Sequence, residues 1–384
     1  MIQLCLGWKK VGNNLLEYIG KYASCQVMID QIEEEAITQI YSFLNCPAFE
    51  GAKIRIQPDV HAGAGAVIGF TCTMTDKIIP NVVGVDIGCG VVAYKIGKEQ
   101  PDFGELDTYI RKHIPSGFSV HNTLNREIDK TADEYRAVAK ETDQDENRVV
   151  RSIGSLGGGN HFIEIDKDNL GNLWLVIHSG ARNFGLKIAL FHQARAVKTV
   201  GRGRGLEWLE GNDAEYYLYH MSVAQKYAAE NRTVMAKRIL EFFNLNIKKV
   251  EMVESVHNYI DLKNRMIRKG AIAAYLDDRV IIPWNMRDGL IIGRGKGNQD
   301  WNYSAPHGAG RIMGRGKAKK TLSLDEYKET MVNVWSSCIS QETLDEAPMV
   351  YKDHEMIKEA IQDTVDIELT LKPLYNFKAG KENE

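Results

Sequence analysis

Long apolar runs are missing from this chain. No stretch approaches the roughly 20 consecutive apolar residues that a membrane helix needs. The opening Met1-Ile2-Gln3-Leu4-Cys5-Leu6-Gly7-Trp8 reaches Lys9 and Lys10 too soon to hold the apolar segment of a signal peptide. The expectation is a cytoplasmic protein with no membrane partner. Cysteine is sparse: six residues (5, 25, 46, 72, 89, 338) are scattered over 384 positions. That excludes a disulfide scaffold and leaves buried thiols, with one potential ligand among them. No Pro- or Ser-rich linker and no internal repeat divides the chain, so residues 1–384 are expected to form one catalytic domain. A large charge of one sign is also lacking. With a net charge of −3, any polyanion site must be a local patch, and Lys198 to Arg204 or Arg311 to Lys320 could supply one. No GxGxxG or P-loop pattern opens a helix after a strand, which removes the familiar nucleotide-binding folds.

What remains is ordinary for an enzyme with a sizeable core: 44% apolar and 26% charged residues. Short apolar strands broken by glycine turns fill the first half. Val82 to Ile96 is Gly- and Val-rich around Asp86 and Cys89, and Leu173-Trp174-Leu175-Val176-Ile177 reads as a buried strand. Asp129 to Val150 is polar and reads as helical. A longer helical pattern runs from Asp213, a candidate cap, to Phe243. Strands return at Val280-Ile281-Ile282 and Leu290-Ile291-Ile292, followed by helical patterns at Asp325 to Ser340 and Asp353 to Val365. Interleaving over the whole length predicts an α/β fold, with mixed β-sheets flanked by helices.

The chemistry concentrates in polar residues caught within glycine-rich or apolar turns. Asp86 and Cys89 stand three residues apart in Val85-Asp86-Ile87-Gly88-Cys89-Gly90, where a tight turn lets a carboxylate and a thiol converge. A thiolate at neutral pH needs a cation or a metal beside it. Asn160 and His161 follow Gly157-Gly158-Gly159, His178 ends the apolar strand, and His257 sits in Val256-His257-Asn258. His307 lies in Pro306-His307-Gly308-Ala309-Gly310-Arg311. Three histidines, an aspartate and a cysteine are thus offered to metal, while one histidine is left for other work. Nitrogen, sulfur and oxygen donors together suit Mn, Fe, Co or Zn better than Mg. Taken singly, each has an ordinary explanation: a strand-end histidine is usually hydrogen-bonded structure, a lone cysteine is a small buried hydrophobe, and glycine clusters are turns.

At these residues the sequence resembles the RtcB RNA ligase family, in blocks that follow the family's order. They are Pro58-Asp59-Val60-His61-Ala62-Gly63, Val83 to Gly90, Gly154 to Phe162, Ile177 to Arg182, Ala228 to Arg232, Val256 to Asn258 and His307 to Arg311. The last are Glu346 to Asp353 and a terminal lysine, Lys378. The resemblance implies two Mn2+ ions bridged by Cys89, with Asp86 and His161 completing one site and His178 and His257 the other. It further implies GTP as the nucleotide and GMP transfer to His307. Asn160 would hold the nucleotide phosphate, with Glu164, Tyr351 and Lys378 around the guanine, Arg182 and Arg311 on phosphates and Asp59 near the reacting ends. For Asp59, capping a turn after Pro58 is the competing role. The implied substrates are RNA ends carrying a 3′-phosphate or 2′,3′-cyclic phosphate and a 5′-hydroxyl, in RNA repair or tRNA splicing. Dependence on an archease-like activator is left open. The segment Trp284-Asn285-Met286-Arg287-Asp288-Gly289 and the tail Phe377-Lys378-Ala379-Gly380 depart from the family pattern and mark a variant branch. Three competing readings stand beside this one. They are a binuclear metallophosphoesterase, an enzyme that guanylyl-caps DNA or RNA 3′-phosphates, and a non-catalytic RNA-binding protein.

Overall fold

The computed structural model describes residues 7–12, 15–124, 126–130, 132–201 and 205–379. Arg202 and Arg204 of the first basic segment, Cys5, and Gly380 of the divergent tail lie outside these residues. In chain order, the strands begin with β1 (Gly7–Gly12), β2 (Leu15–Ile19), β3 (Ser24–Val27), β4 (Ile54–His61), β5 (Ile68–Thr73) and β6 (Gly90–Gly97). They continue with β7 (Phe162–Asp168), β8 (Leu173–Ser179), β9 (Met252–Val256), β10 (Asn258–Asp261) and β11 (Met266–Lys269). The last are β12 (Ala271–Ala273), β13 (Arg279–Asn285), β14 (Gly289–Gly295), β15 (Ser304–Pro306) and β16 (Val365–Phe377).

Two seven-stranded sheets dominate. The first has the order β1-β2-β3-β4-β5-β11-β10 and is mixed, since β3 and β4 run parallel while the other pairs are antiparallel. The second, β13-β14-β16-β7-β8-β6-β9, is antiparallel throughout, and a two-stranded ladder joins β12 to β15. This is the α/β architecture with mixed sheets that the interleaved pattern predicts.

The apolar run at Leu173 becomes β8, buried at every position, as a strand covered on both faces must be. Its odd residues, Leu175 and Ile177, pack with Ile163, Ile165 and Tyr375 on one face. Trp174 and Val176 pack with Val91, Phe162, Ile281 and Leu371 on the other. The two ends of this sheet approach each other, because Ile281 N on β13 donates to Ser255 Oγ on β9 at 2.9 Å. The sheet therefore curls around its second apolar face. The β13–β14 hairpin turns where Asn285 Oδ1 accepts from the amides of Arg287 (3.0 Å) and Asp288 (2.9 Å), a local side-chain turn of the kind asparagine favours.

Helical expectations hold in outline and shift in detail. The long helix runs Gly211–Phe242. It buries Tyr217, Met221, Ala224 and Tyr227 against the first core and Met235, Ile239 and Leu240 against the second, so it ties the sheets together. Asp213 is not its cap: the helix starts two residues earlier, and the Asp213 carboxylate instead pairs with Arg195 on the helix Arg182–Val200. The polar segment from Asp129 to Val150 breaks into Asp133–Glu141 and Glu146–Arg151, with Asp145 capping the latter by accepting from Arg148 N. Helix ends at Thr330 and does not continue to Ser340, because Trp335 pairs with β16: its amide donates to Leu374 O and its carbonyl accepts from Asn376 N. The last helical segment is His354–Ala360, and Val365 already belongs to β16.

Candidate active site

Elements distant in sequence bring the predicted donors to one point. The turn before β6 is closed by Cys89 N donating to Asp86 O at 3.2 Å. His161 precedes β7, His178 lies on β8, and His257 follows β9. In the second sheet β8 and β9 flank β6 on either side, so the ligand-bearing ends of three neighbouring strands meet. A side chain at Gly180 would collide with the Asp86 carboxylate and press on Cys89 Cα. The Gly in Ser179-Gly180-Ala181 is thus required by close approach.

The donor atoms of Cys89, His178 and His257 lie within 4.8 Å of one another, as do those of Asp86, Cys89 and His161. Cys89 Sγ is 3.1 Å from His178 Nε2 and 3.4 Å from His161 Nε2. His178 Nε2 is 3.3 Å from His257 Nε2, and His161 Nε2 is 3.0 Å from Asp86 Oδ2. Backbone carbonyls select the tautomers: His161 Nδ1 donates to Leu156 O at 2.9 Å and His178 Nδ1 to Asn160 O at 3.1 Å. Each Nε2 then turns a lone pair toward the thiol. Burial pushes the Cys89 thiol well up, with Asp86 adding to the effect, and pushes His178 and His257 well down. Uncharged lone pairs facing one another in a dry site are unfavourable until a cation sits among them. The donor set therefore fits a transition-metal ion, and the shared Cys89 fits a pair of ions.

His307 stands beside this cluster, its ring centroid 4.7 Å from that of His257. Its Nδ1 is 2.6 Å from Asp59 Oδ2, and its backbone amide reaches the same oxygen at 3.2 Å. Asp59 is fully buried within β4, so it orients His307 and does not cap a turn after Pro58. The space for its carboxylate comes from Gly69 (φ +82°), where an added Cβ would lie 2.7 Å from Asp59 Oδ1. Gly69→Ala is expected to displace Asp59 and slow turnover by roughly 10²-fold, the penalty of a misplacement of about 1 Å. Single-turnover kinetics of the folded variant would check this, and an unchanged rate would contradict the packing argument.

His307 opens onto a cavity of about 790 Å³, with Asp59 buried behind it. Its walls include Asp86, Cys89, His178 and His257, together with Asn160, Glu164, Arg311, Tyr351 and Lys378. The Asn160 carboxamide has no protein partner among the described residues. Burial pushes the Glu164 carboxyl up to about 7, against the opposing pull of Asn376 and Lys378, and Asn376 Nδ2 donates to it at 2.5 Å. Arg182 is not on this wall: its guanidinium donates to Gly117 O at 2.8 Å and Ser155 Oγ at 3.2 Å. Arg311 is on the wall, with its fork on Asp345 O, Met313 O and Glu346.

Two residues were missed by sequence reasoning. Glu346 is a buried hub that accepts from Tyr351 OH at 2.7 Å and pairs with Lys378, Arg311 and Arg315. Burial raises its carboxyl, but the lysine and two arginines hold it below the usual range. Lys352 donates to the carbonyls on either side of Asp59, Pro58 O at 3.1 Å and Val60 O at 2.6 Å. Burial pushes that ammonium down to about 8. Both residues lie within the block Glu346 to Asp353. A carboxylate five residues before a tyrosine was the available signal for Glu346, while nothing local marked Lys352. The divergent segment also contributes: Trp284, Asn285 and Met286 form part of the cavity wall.

Comparison with known proteins shows the family of the chain. A family model described as tRNA-splicing ligase RtcB matches residues 39–379. The chain is 30% identical to the RNA-splicing ligase RtcB of Escherichia coli (strain K12), over 90% of this chain and 95% of that protein. It is 27% identical to the RNA-splicing ligase RtcB2 of Escherichia coli (strain ATCC 25922), over 86% of this chain and 88% of that protein. To the tRNA-splicing ligase RtcB of Aeropyrum pernix the identity is 26%, over 79% and 82%.

Proposed function

The chain belongs to the RtcB family and is an RNA ligase, and on that premise we propose that it joins RNA strands through a GMP adduct on His307, using GTP and manganese. The observation that carries this reading is the 2.6 Å contact between His307 Nδ1 and Asp59 Oδ2. A carboxylate that accepts from Nδ1–H leaves the lone pair on Nε2, which makes that nitrogen the nucleophile.

In the proposed first step, His307 Nε2 attacks the α-phosphorus of GTP. A P–N bond forms, the bond to pyrophosphate breaks, and pyrophosphate leaves. The ring then carries Nδ1–H and a phosphorylated Nε2, and the Asp59 carboxylate balances its positive charge. An RNA 3′-phosphate, produced from a 2′,3′-cyclic phosphate where necessary, next takes GMP from His307, and the 5′-hydroxyl of the second strand displaces GMP to form the 3′–5′ bond. Asp86, Cys89, His161, His178 and His257 would hold two manganese ions, whose chemistry is neutralisation and orientation of phosphate oxygens. Asn160 would hold a nucleotide phosphate, while Glu164, Tyr351 and Lys378 would surround the base. Arg311 and Arg182 would support phosphates, Arg182 only if it exchanges its present carbonyl and hydroxyl partners. The reading accommodates either RNA repair or tRNA splicing, with or without an activator protein.

The test is incubation with Mn2+ and GTP labelled at the α-phosphate, followed by denaturing electrophoresis. Wild type is expected to carry the label and His307→Ala to carry none. Absence of label with Mn2+, Co2+ and Zn2+ alike would sink the proposal.

A further inference from the structure

The cavity lining holds charges of both signs. Glu33 and Glu35 contribute carboxylates, and Arg311 and Arg315 contribute guanidinium groups. Arg315 is also the first residue of the helix Arg315–Thr321. Its one buried residue is Ala318, so Lys317, Lys319 and Lys320 all face solvent. Arg315 and Lys319 pair with Asp345. Lys317 and Lys320 have no carboxylate partner among the described residues. The loop before Asn160 lies against the start of this helix: a Cβ on Gly159 would be 3.7 Å from Arg315 Nη2, and Gly158, also exposed, has nothing within 4 Å of its Cβ position.

We infer that the helix Arg315–Thr321 and the facing loop Gly158–Gly159 form the track along which the phosphodiester backbone of the RNA strand leaves the cavity. This rests on the reading of the cavity as the place where RNA ends react. The charge argument favours this helix, because a polyanion is repelled by Glu33 and Glu35 in the lining and attracted by the exposed lysines that follow Arg315. Two unneutralised lysines on one exposed face can each release a counterion on meeting a phosphate. The side-chain-free surface at Gly158 and Gly159 admits a backbone closely and offers peptide N–H groups as further phosphate donors. With the chain at a net charge of −3, such a strip is also where a polyanion would be expected to land.

The test uses the full-length protein and the double variant Lys317→Glu, Lys320→Glu. An RNA oligonucleotide ending in a 3′-phosphate is the probe, with affinity followed by fluorescence polarisation at several salt concentrations. Loss of two contacts to a single strand should reduce the slope of log K against log salt by about 1.4, at roughly 0.7 for each. The Michaelis constant for RNA should rise, while GMP transfer from GTP to the protein without RNA stays at the wild-type rate. As a control, Lys112→Glu with Lys140→Glu reverses two exposed lysines that do not line the cavity. An unchanged salt slope in the first variant, or an equal loss in the control, would overturn the inference. Failure of wild type to take up GMP would count against the function proposed above and leave the salt slope as an independent measure of the track.

Discussion

Replacing Asp59 with asparagine should lower the rate of the proposed GMP transfer to the protein by roughly 10⁴-fold, the scale seen when an orienting carboxylate is turned into an amide. The reason is a matter of tautomers. Asp59 Oδ2 can only accept, so the 2.6 Å contact commits the proton of His307 to Nδ1. In Asp59→Asn, a carboxamide with its NH2 toward the ring would donate instead, and the proton would sit on Nε2, where the lone pair is needed. The variant keeps the size of the side chain within its fully buried position in β4, so wild-type thermal stability within about 1 kcal/mol is expected. The measurement is single-turnover labelling by GTP, with a thermal melt on the same sample. A variant that labels within threefold of wild type would remove Asp59 from the mechanism.

The second large effect concerns Cys89, the donor common to both clusters. Cys89→Ser keeps the shape and loses a soft, polarisable ligand, so affinity for manganese should fall by more than about 10²-fold, beyond the loss typical of an outer hydrogen-bond partner. A ligand at 100 times its dissociation constant stabilises the fold by about 2.7 kcal/mol. Wild type should therefore melt at a higher temperature as Mn2+ is added, and the variant should show no shift over the same range. Equal shifts in the two proteins would mean that the ions are held without the thiol.

Much of the candidate site was legible because its residues break local rules. Asp86, Cys89, His161 and His178 are polar groups placed inside glycine turns or at the end of an apolar strand, where burial makes them costly unless they have a task. The structure brings Asp86, Cys89, His178, His257 and His307 around one cavity, with His161 against Asp86 and Cys89. The apolar runs that marked β8, β13 and β14 likewise survive into the sheets, since a strand covered by apolar neighbours carries its signal in its own residues. What failed to show were relations between distant segments. The Asp59–His307 pair spans 248 positions, and Lys352 reaches β4 across 292 to 294. The helix anticipated through Ser340 stops at Thr330 for the same reason: Trp335 finds backbone partners on β16, and that pairing outweighs a weak helical preference. Arg182, expected on phosphates, is largely buried, with Nε donating to Ser155 Oγ and Nη2 to Gly117 O.

The position of β16 has a consequence for how the protein comes into being. This strand, Val365–Phe377, is the last among the described residues, yet it lies in the interior of the second sheet between β14 and β7. While the ribosome is still making it, β7 and β14 each expose an unsatisfied edge, and such edges invite pairing with other chains. The wall that carries Glu164 and Lys378 cannot close before β16 arrives. A nascent chain can gather its early cysteine and histidines, but it acquires a finished cavity only once β16 has been made. Catalytic competence is thus tied by topology to the synthesis of that one strand.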